Sequence, residues 1–247
     1  MASLKRIAQC LGFASSFSVL HDFLGYRTNF NGRNISLLRQ LQLLQNRIIN
    51  INIIRVGIDN FTNAHEEEID NAIQTTRNIY ATVNLGIARV EHFNINVADA
   101  NGRDVIVNDA SARALTDEWT VSNNSFDVFV VLDEWPGSQP GLTTIGFSAV
   151  DGPCNKDRSG VMTGSVIALS TDVATTGQCL AHELGHYHAL EHVCDLGTTG
   201  GCSGGSCQPR HQDRLMHPCL PNGGTLSTAE GQIMNNHCFV TNGCPGN

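Results

Sequence analysis

Apolar residues recur along this chain at two periods. Ile35, Leu37, Leu38, Leu41, Leu44 and Ile48 are spaced as one face of a helix over residues 35–49. Residues 51–58 (INIIRVGI) are β-branched and alternate as a strand does. Residues 63–83 predict a second helix, with Ile69, Ala72, Ile73, Thr76, Ile79, Tyr80 and Val83 on one face. Glu66, Glu67 and Glu68 lie in its first turn, where the helix dipole favours negative charge. Strands are expected over 87–97 and over 127–132 (DVFVVL), a nearly continuous apolar run typical of a strand buried on both faces. Two more follow at 143–150 and 166–170, separated by a loop containing Gly, Pro and Asp. A helix is predicted over 174–190, and the glycine-rich stretch 197–205 is too permissive for a regular element. A last helix is expected over 227–237, with Ser227 as N-cap and Glu230 three residues on, a capping box.

Strand, helix, several strands and helix in that order describe an α/β (α+β) sheet layer, followed by a tail with little regular structure. The length of 247 residues suits one large domain, and 41% hydrophobic with 15% charged residues reads as globular. A net charge of −8 offers nothing to a nucleic-acid backbone or an anionic membrane, and no apolar run is long enough to span a bilayer.

Of the nine cysteines, Cys10 stands alone near the N-terminus. Cys154, Cys179, Cys194, Cys202, Cys207, Cys219, Cys238 and Cys244 crowd the last hundred residues or so. An even group without a C-x2-C pair favours a disulfide framework over a second metal site, and with it a secreted, extracellular protein. Its connectivity is not readable from spacing. Lys5 and Arg6 before the moderately apolar residues 7–20 loosely resemble a signal peptide, without an A-x-A cleavage site. Asn34, Asn60 and Asn123 begin N-x-S/T sequons, which are compatible with secretion. Residues 1–49 are therefore read as a leader, a pro-segment or an N-terminal helix.

The chemistry concentrates in His182-Glu183-Leu184-Gly185-His186. Two histidines four apart share one helix face, so both imidazoles can reach a single ion at about 2.0–2.1 Å. Glu183 lies about 100° round from His182 and can address water at that ion. His192 follows, but on a continued helix it would point about 240° away from His186. It becomes a third ligand only if the helix stops near Ala189 and the chain turns back. Three imidazoles with one open position make a catalytic rather than a structural zinc site.

This stretch resembles the metzincin motif H-E-x-x-H-x-x-G-x-x-H, and the local run HELGH…LEH is especially similar to matrixins. Ala189 stands where that motif has Gly, so a left-handed turn there would cost on the order of 1 kcal/mol. Leu215-Met216-His217-Pro218, with Met216 24 residues after His192, looks like the metzincin methionine turn. Residues 226–232 and Met234 resemble the final helix of pappalysin-like metzincins, and the cysteine-rich region is comparable. The resemblance implies a metzincin-like twisted mixed sheet with a backing helix and an active-site helix, plus an irregular disulfide-rich C-terminal lobe. Residues 50–247 would form the catalytic domain, with an upper lobe of about 50–192 and a lower lobe of about 193–247.

What the family implies is a zinc-dependent endopeptidase, a monomer acting on peptide or protein substrates. Its Zn2+ is held by His182, His186 and His192, its general base is Glu183, and its site is supported by Met216 and Pro218. Substrate would lie along an exposed strand edge at residues 144–150. Cys10-Leu11-Gly12 is a poor version of the pro-segment latch by which matrixins block the zinc. Calcium is possible at Asp151, Asp157, Asp172, Asp195 and Asp213, but no loop there has ligand spacing. His188, His211 and His217 read as surface residues or as hydrogen-bonding support for the ligands. The rival functions are a non-catalytic zinc-binding module and a disulfide-stabilised binding protein; Glu183 argues against the first, since a structural site has no use for it.

Overall fold

A computed structural model describes residues 4–12, 37–137, 142–157, 160–170, 172–196, 205–221 and 223–244. The expectations for Asn34, for Cys202, for most of residues 1–34 and for most of the 197–205 glycine run fall outside these residues. In chain order the elements are α1 (Leu4–Leu11), α2 (Leu37–Leu43), β1 (Arg47–Val56), α3 (Asn63–Ala81), β2 (Leu85–Ile95), α4 (Val97–Ala100), α5 (Asp109–Glu118) and β3 (Phe126–Val131). They continue with β4 (Trp135–Pro136), β5 (Thr143–Thr144), β6 (Gly146–Ser148), β7 (Ser165–Ala168), α6 (Val173–Tyr187), α7 (Thr228–Met234) and β8 (Thr241–Asn242).

The main sheet runs β2-β1-β3-β7-β6, with β8 set antiparallel against the start of β1. β1, β2, β3 and β7 are parallel; β6 lies antiparallel to β7 and forms an edge. Alternation along the strands feeds two separate cores. Ile49, Ile51, Ile53, Val128, Val130 and Ile167 face α3 and α6. Ile54, Val56, Phe129, Val131, Val166 and Ala168 face α5 and Trp135. The mixed α/β class expected from the sequence is the class observed.

Three departures from expectation stand out. The helix read over 35–49 ends at Leu43, and β1 already begins at Arg47. Ile48 does fit the helical period, but parallel pairing with Gly86 of β2 and packing on Leu41, Leu44, Ala88 and Ile7 place it in the strand. The single strand read over 143–150 is divided: β5 pairs with β4, β6 pairs with β7, and Ile145 lies between. Helix α5, absent from the sequence reading, is capped by the Asn108 side chain and buries Ala112, Leu115 and Thr116.

The two long helices are in close contact. Tyr80 Oη on α3 donates to the Ala181 carbonyl on α6 at 2.9 Å. A Cβ on Gly177 would stand 2.6 Å from Thr75 Cβ, so the helices leave no room for even a methyl group at that crossing. Beneath the sheet end, Lys156 Nζ donates to Asp127 Oδ1 at 2.7 Å, a buried ion pair completed by hydrogen bonds to Asp127 from Asn52 and Thr120.

The disulfides are Cys10–Cys244, Cys154–Cys238 and Cys194–Cys207, and Cys219 is also disulfide-bonded. This corrects the expectation for the odd thiol. Cys10 is paired, which removes its sulfur from the latch role, and among the described residues Cys179, buried on α6, is the free cysteine. Nothing in the spacing distinguishes a helix-core cysteine from a bridging one.

Candidate metal centre

Helix α6 starts at an N-cap that the sequence reading did not single out: the Asp172 carboxylate accepts from the backbone N–H groups of Ala174 and Thr175. It stops where the third-ligand geometry requires. His188 is the C-cap and Ala189 is left-handed, at φ 70°. Leu190 N donates to Gly185 O at 3.0 Å and Ala189 N to His186 O at 2.9 Å, the paired bonds of a Schellman motif. The left-handed residue reverses the chain and returns His192 to the face that carries His182 and His186.

The three Nε2 atoms converge. His192 Nε2 is 3.3 Å from His182 Nε2 and 3.1 Å from His186 Nε2. His182 Nδ1 lies 2.7 Å from the Leu215 carbonyl and His186 Nδ1 2.7 Å from the Leu190 carbonyl. A carbonyl only accepts, so in both rings Nδ1 carries the proton and Nε2 the lone pair. A single N–H at His192 can serve one of those lone pairs, not both. A tetrahedral ion with Zn–N bonds of about 2.05 Å sets its nitrogen ligands about 3.3 Å apart, so the donor set fits such an ion. Burial, with His186 alongside, holds His182 down to about 3. Burial, with His192 alongside, holds His186 down to about 4. Both are therefore neutral, as metal ligands must be. His182 and His186 are buried, whereas His192 is exposed and marks the open side.

Glu183 faces the edge of the sheet. Its carboxylate is buried against Gly146 of β6, and its Oε2 has no hydrogen-bond partner among the described residues. Burial, with the Asp109 carboxylate as the second cause, raises it to about 8.

Below the histidines, a Cβ on Gly185 would lie 2.8 Å from Met216 Sδ, so the thioether packs directly on the helix between the two ligands of α6. Val193 N donates to Met216 O at 2.9 Å, tying the segment after His192 to the methionine turn. Pro218 follows in the same turn, half-buried. His217 is buried rather than a polar loop residue, and its Nδ1 accepts from Cys219 N at 3.2 Å. His211 lies on a turn, its Nδ1 accepting from Gln208 N.

His188 corrects the surface reading. It is fully buried, its ring stacked on Phe126 with centroids 4.4 Å apart and its Nδ1 2.6 Å from the Leu184 carbonyl. The helix ends one residue before it, so ideal helical angles do not describe where it points. Sequence reasoning also missed the carbonyls of Leu190 and Leu215, whose role depends on backbone direction and leaves no mark on residue type.

The clustered histidines form a candidate metal site. The chain belongs to metallo-peptidase family M12, whose Reprolysin_5 model matches residues 45–236, in agreement with the metzincin resemblance of the motif. No curated protein sequence matches it. Among solved structures, it is similar to archaemetzincin from Methanopyrus kandleri, 11% identical over 76% of this chain and 94% of that one, with a TM-score of 0.47. It is also similar to metalloproteinase-II from Bacteroides fragilis, 13% identical over 76% of this chain and 52% of that one, with a TM-score of 0.48.

Proposed function

We propose that this metallopeptidase is a zinc-dependent endopeptidase of the metzincin type, acting on peptide or protein substrates. His182, His186 and His192 are its ligands, and Glu183 is its general base. One observation carries the reading: two carbonyl-fixed imidazole lone pairs and a third ring nitrogen converge, and the same helix carries a buried carboxylate, Glu183, with an oxygen unpartnered among the described residues.

A zinc ion at the histidines supplies Lewis acidity, which lowers the pKa of water towards about 7 and polarises a scissile carbonyl. The chain's own residues do the rest. The Leu190 and Leu215 carbonyls keep two rings aimed and in one tautomer. Glu183, whose charged form burial disfavours, would be held as a carboxylate once the histidines are loaded. Glu183 Oε2 then takes the proton of the attacking water and delivers it to the leaving amine. Gly146–Ser148, the edge strand, offers backbone N–H and C=O groups to an extended peptide. Met216 and Pro218 support the site from below. The disulfides support a secreted enzyme.

Casein or gelatin cleavage by the wild type and by Glu183→Ala, with zinc measured on both, tests this. Cleavage by the wild type alone with about one zinc in each is expected. Absence of zinc from both would remove the central claim.

A further inference from the structure

The edge strand β6 and helix α6 meet at a position with no side chain. A Cβ on Gly146 would lie 2.5 Å from Glu183 Oε1, 2.7 Å from Glu183 Cγ and 2.7 Å from Cys179 Sγ. Gly146 is not among the residues with positive φ, so its backbone does not require glycine. The requirement is space.

Neither backbone can withdraw to provide that space. Ile145, the residue before Gly146, has its carbonyl held from two sides: Ala168 N donates to it at 2.8 Å and the Cys179 thiol at 3.3 Å. Gly146 itself is paired with Ile167 of β7. On the other side, α6 is fixed against α3 by the Tyr80 hydrogen bond and by the contact of Gly177 with Thr75. A methyl group at position 146 must therefore be accommodated by side chains, and the Glu183 carboxylate stands nearest.

We propose that Gly146 is the positioning residue for Glu183: its bare Cα lets the carboxylate lie against the edge strand, with Oε1 against the strand and Oε2 free. This rests on the reading of Glu183 as general base. It links substrate and proton transfer in one place, because the strand that seats the carboxylate is also the edge open to an extended peptide. Gly146 itself touches no reacting atom.

The test compares Gly146→Ala, Glu183→Ala, their double variant and Gly146→Ala/Cys179→Ala, all as full-length, zinc-loaded protein. Gly146→Ala should bind zinc as tightly as the wild type in a chelator competition and keep its KM, while kcat falls about tenfold to a hundredfold. Cys179→Ala should not restore it. In the Glu183→Ala background only the Cys179 sulfur still crowds the added methyl, so Gly146→Ala should lower the melting temperature less there than it does in the wild type. The proposal is overturned if kcat is unchanged, if zinc affinity falls in parallel with kcat, or if Cys179→Ala restores the rate. It is overturned equally if the methyl group lowers the melting temperature more in the Glu183→Ala background than in the wild type. Should the wild type bind zinc and cleave nothing, the peptidase reading fails, and the melting comparison still decides whether Gly146 seats Glu183.

Discussion

Gly185 and Met216 are in direct contact, with the methionine sulfur occupying the place where a side chain on residue 185 would begin. Gly185→Ala should therefore push Met216 out of its seat. Overpacking of this kind costs about 1–3 kcal/mol. Because the contact lies between His182 and His186, zinc affinity should weaken as well. Thermal melting with and without zinc checks both; an unchanged zinc affinity would make Met216 a packing residue alone.

Ala189 supplies the left-handed turn that brings His192 back to the other ligands. Ala189→Gly should relieve about 1 kcal/mol of strain, less the entropy that glycine gains in the unfolded chain. A small rise in melting temperature with unchanged zinc stoichiometry is expected. Ala189→Val, β-branched at the same φ, should lower both stability and zinc binding.

Cys10 is bonded to Cys244, across 234 residues of sequence. Cys10→Ser should cost about 2–5 kcal/mol of stability. Activity at a temperature where the variant remains folded should not rise, which distinguishes a staple from a latch. An increase in activity on substitution would restore the latch.

Asp70, half-buried on α3, is raised to about 6 by burial first and by the Glu66 carboxylate second. A carboxyl raised in the folded state contributes stability that is complete below its unfolded value, near 3.8, and is lost as pH rises through about 6. Asp70→Asn should therefore stabilise the protein at pH 7–8, by at most about 1 kcal/mol given solvent screening, and make no difference near pH 3.5. Urea denaturation at the two pH values measures this.

Much of this was legible in residue order. Apolar alternation located β1, a continuous apolar run located β3, the helical period located α3, and Ser227 with Glu230 marked the start of α7. The three histidines could be grouped because only a helix stop near Ala189 made sense of His192, and the stop is there. What escaped depends on distance rather than sequence. The Cys10–Cys244 bond joins segments far apart in the chain, and the burial of His188 depends on Phe126 arriving from β3. Lys156 looks like an ordinary loop lysine until Asp127 is brought beside it. The strand over 143–150 was divided because its two halves find different partners.

Two of the three imidazoles are aimed by main-chain oxygens, those of Leu190 and Leu215, instead of by acidic side chains. Ring orientation is thereby insulated from substitution at those two positions, since every amino acid carries the same carbonyl. Loops between residue 192 and the methionine turn can diverge in sequence to suit new substrates, while the ligand geometry is inherited intact from the path of the backbone.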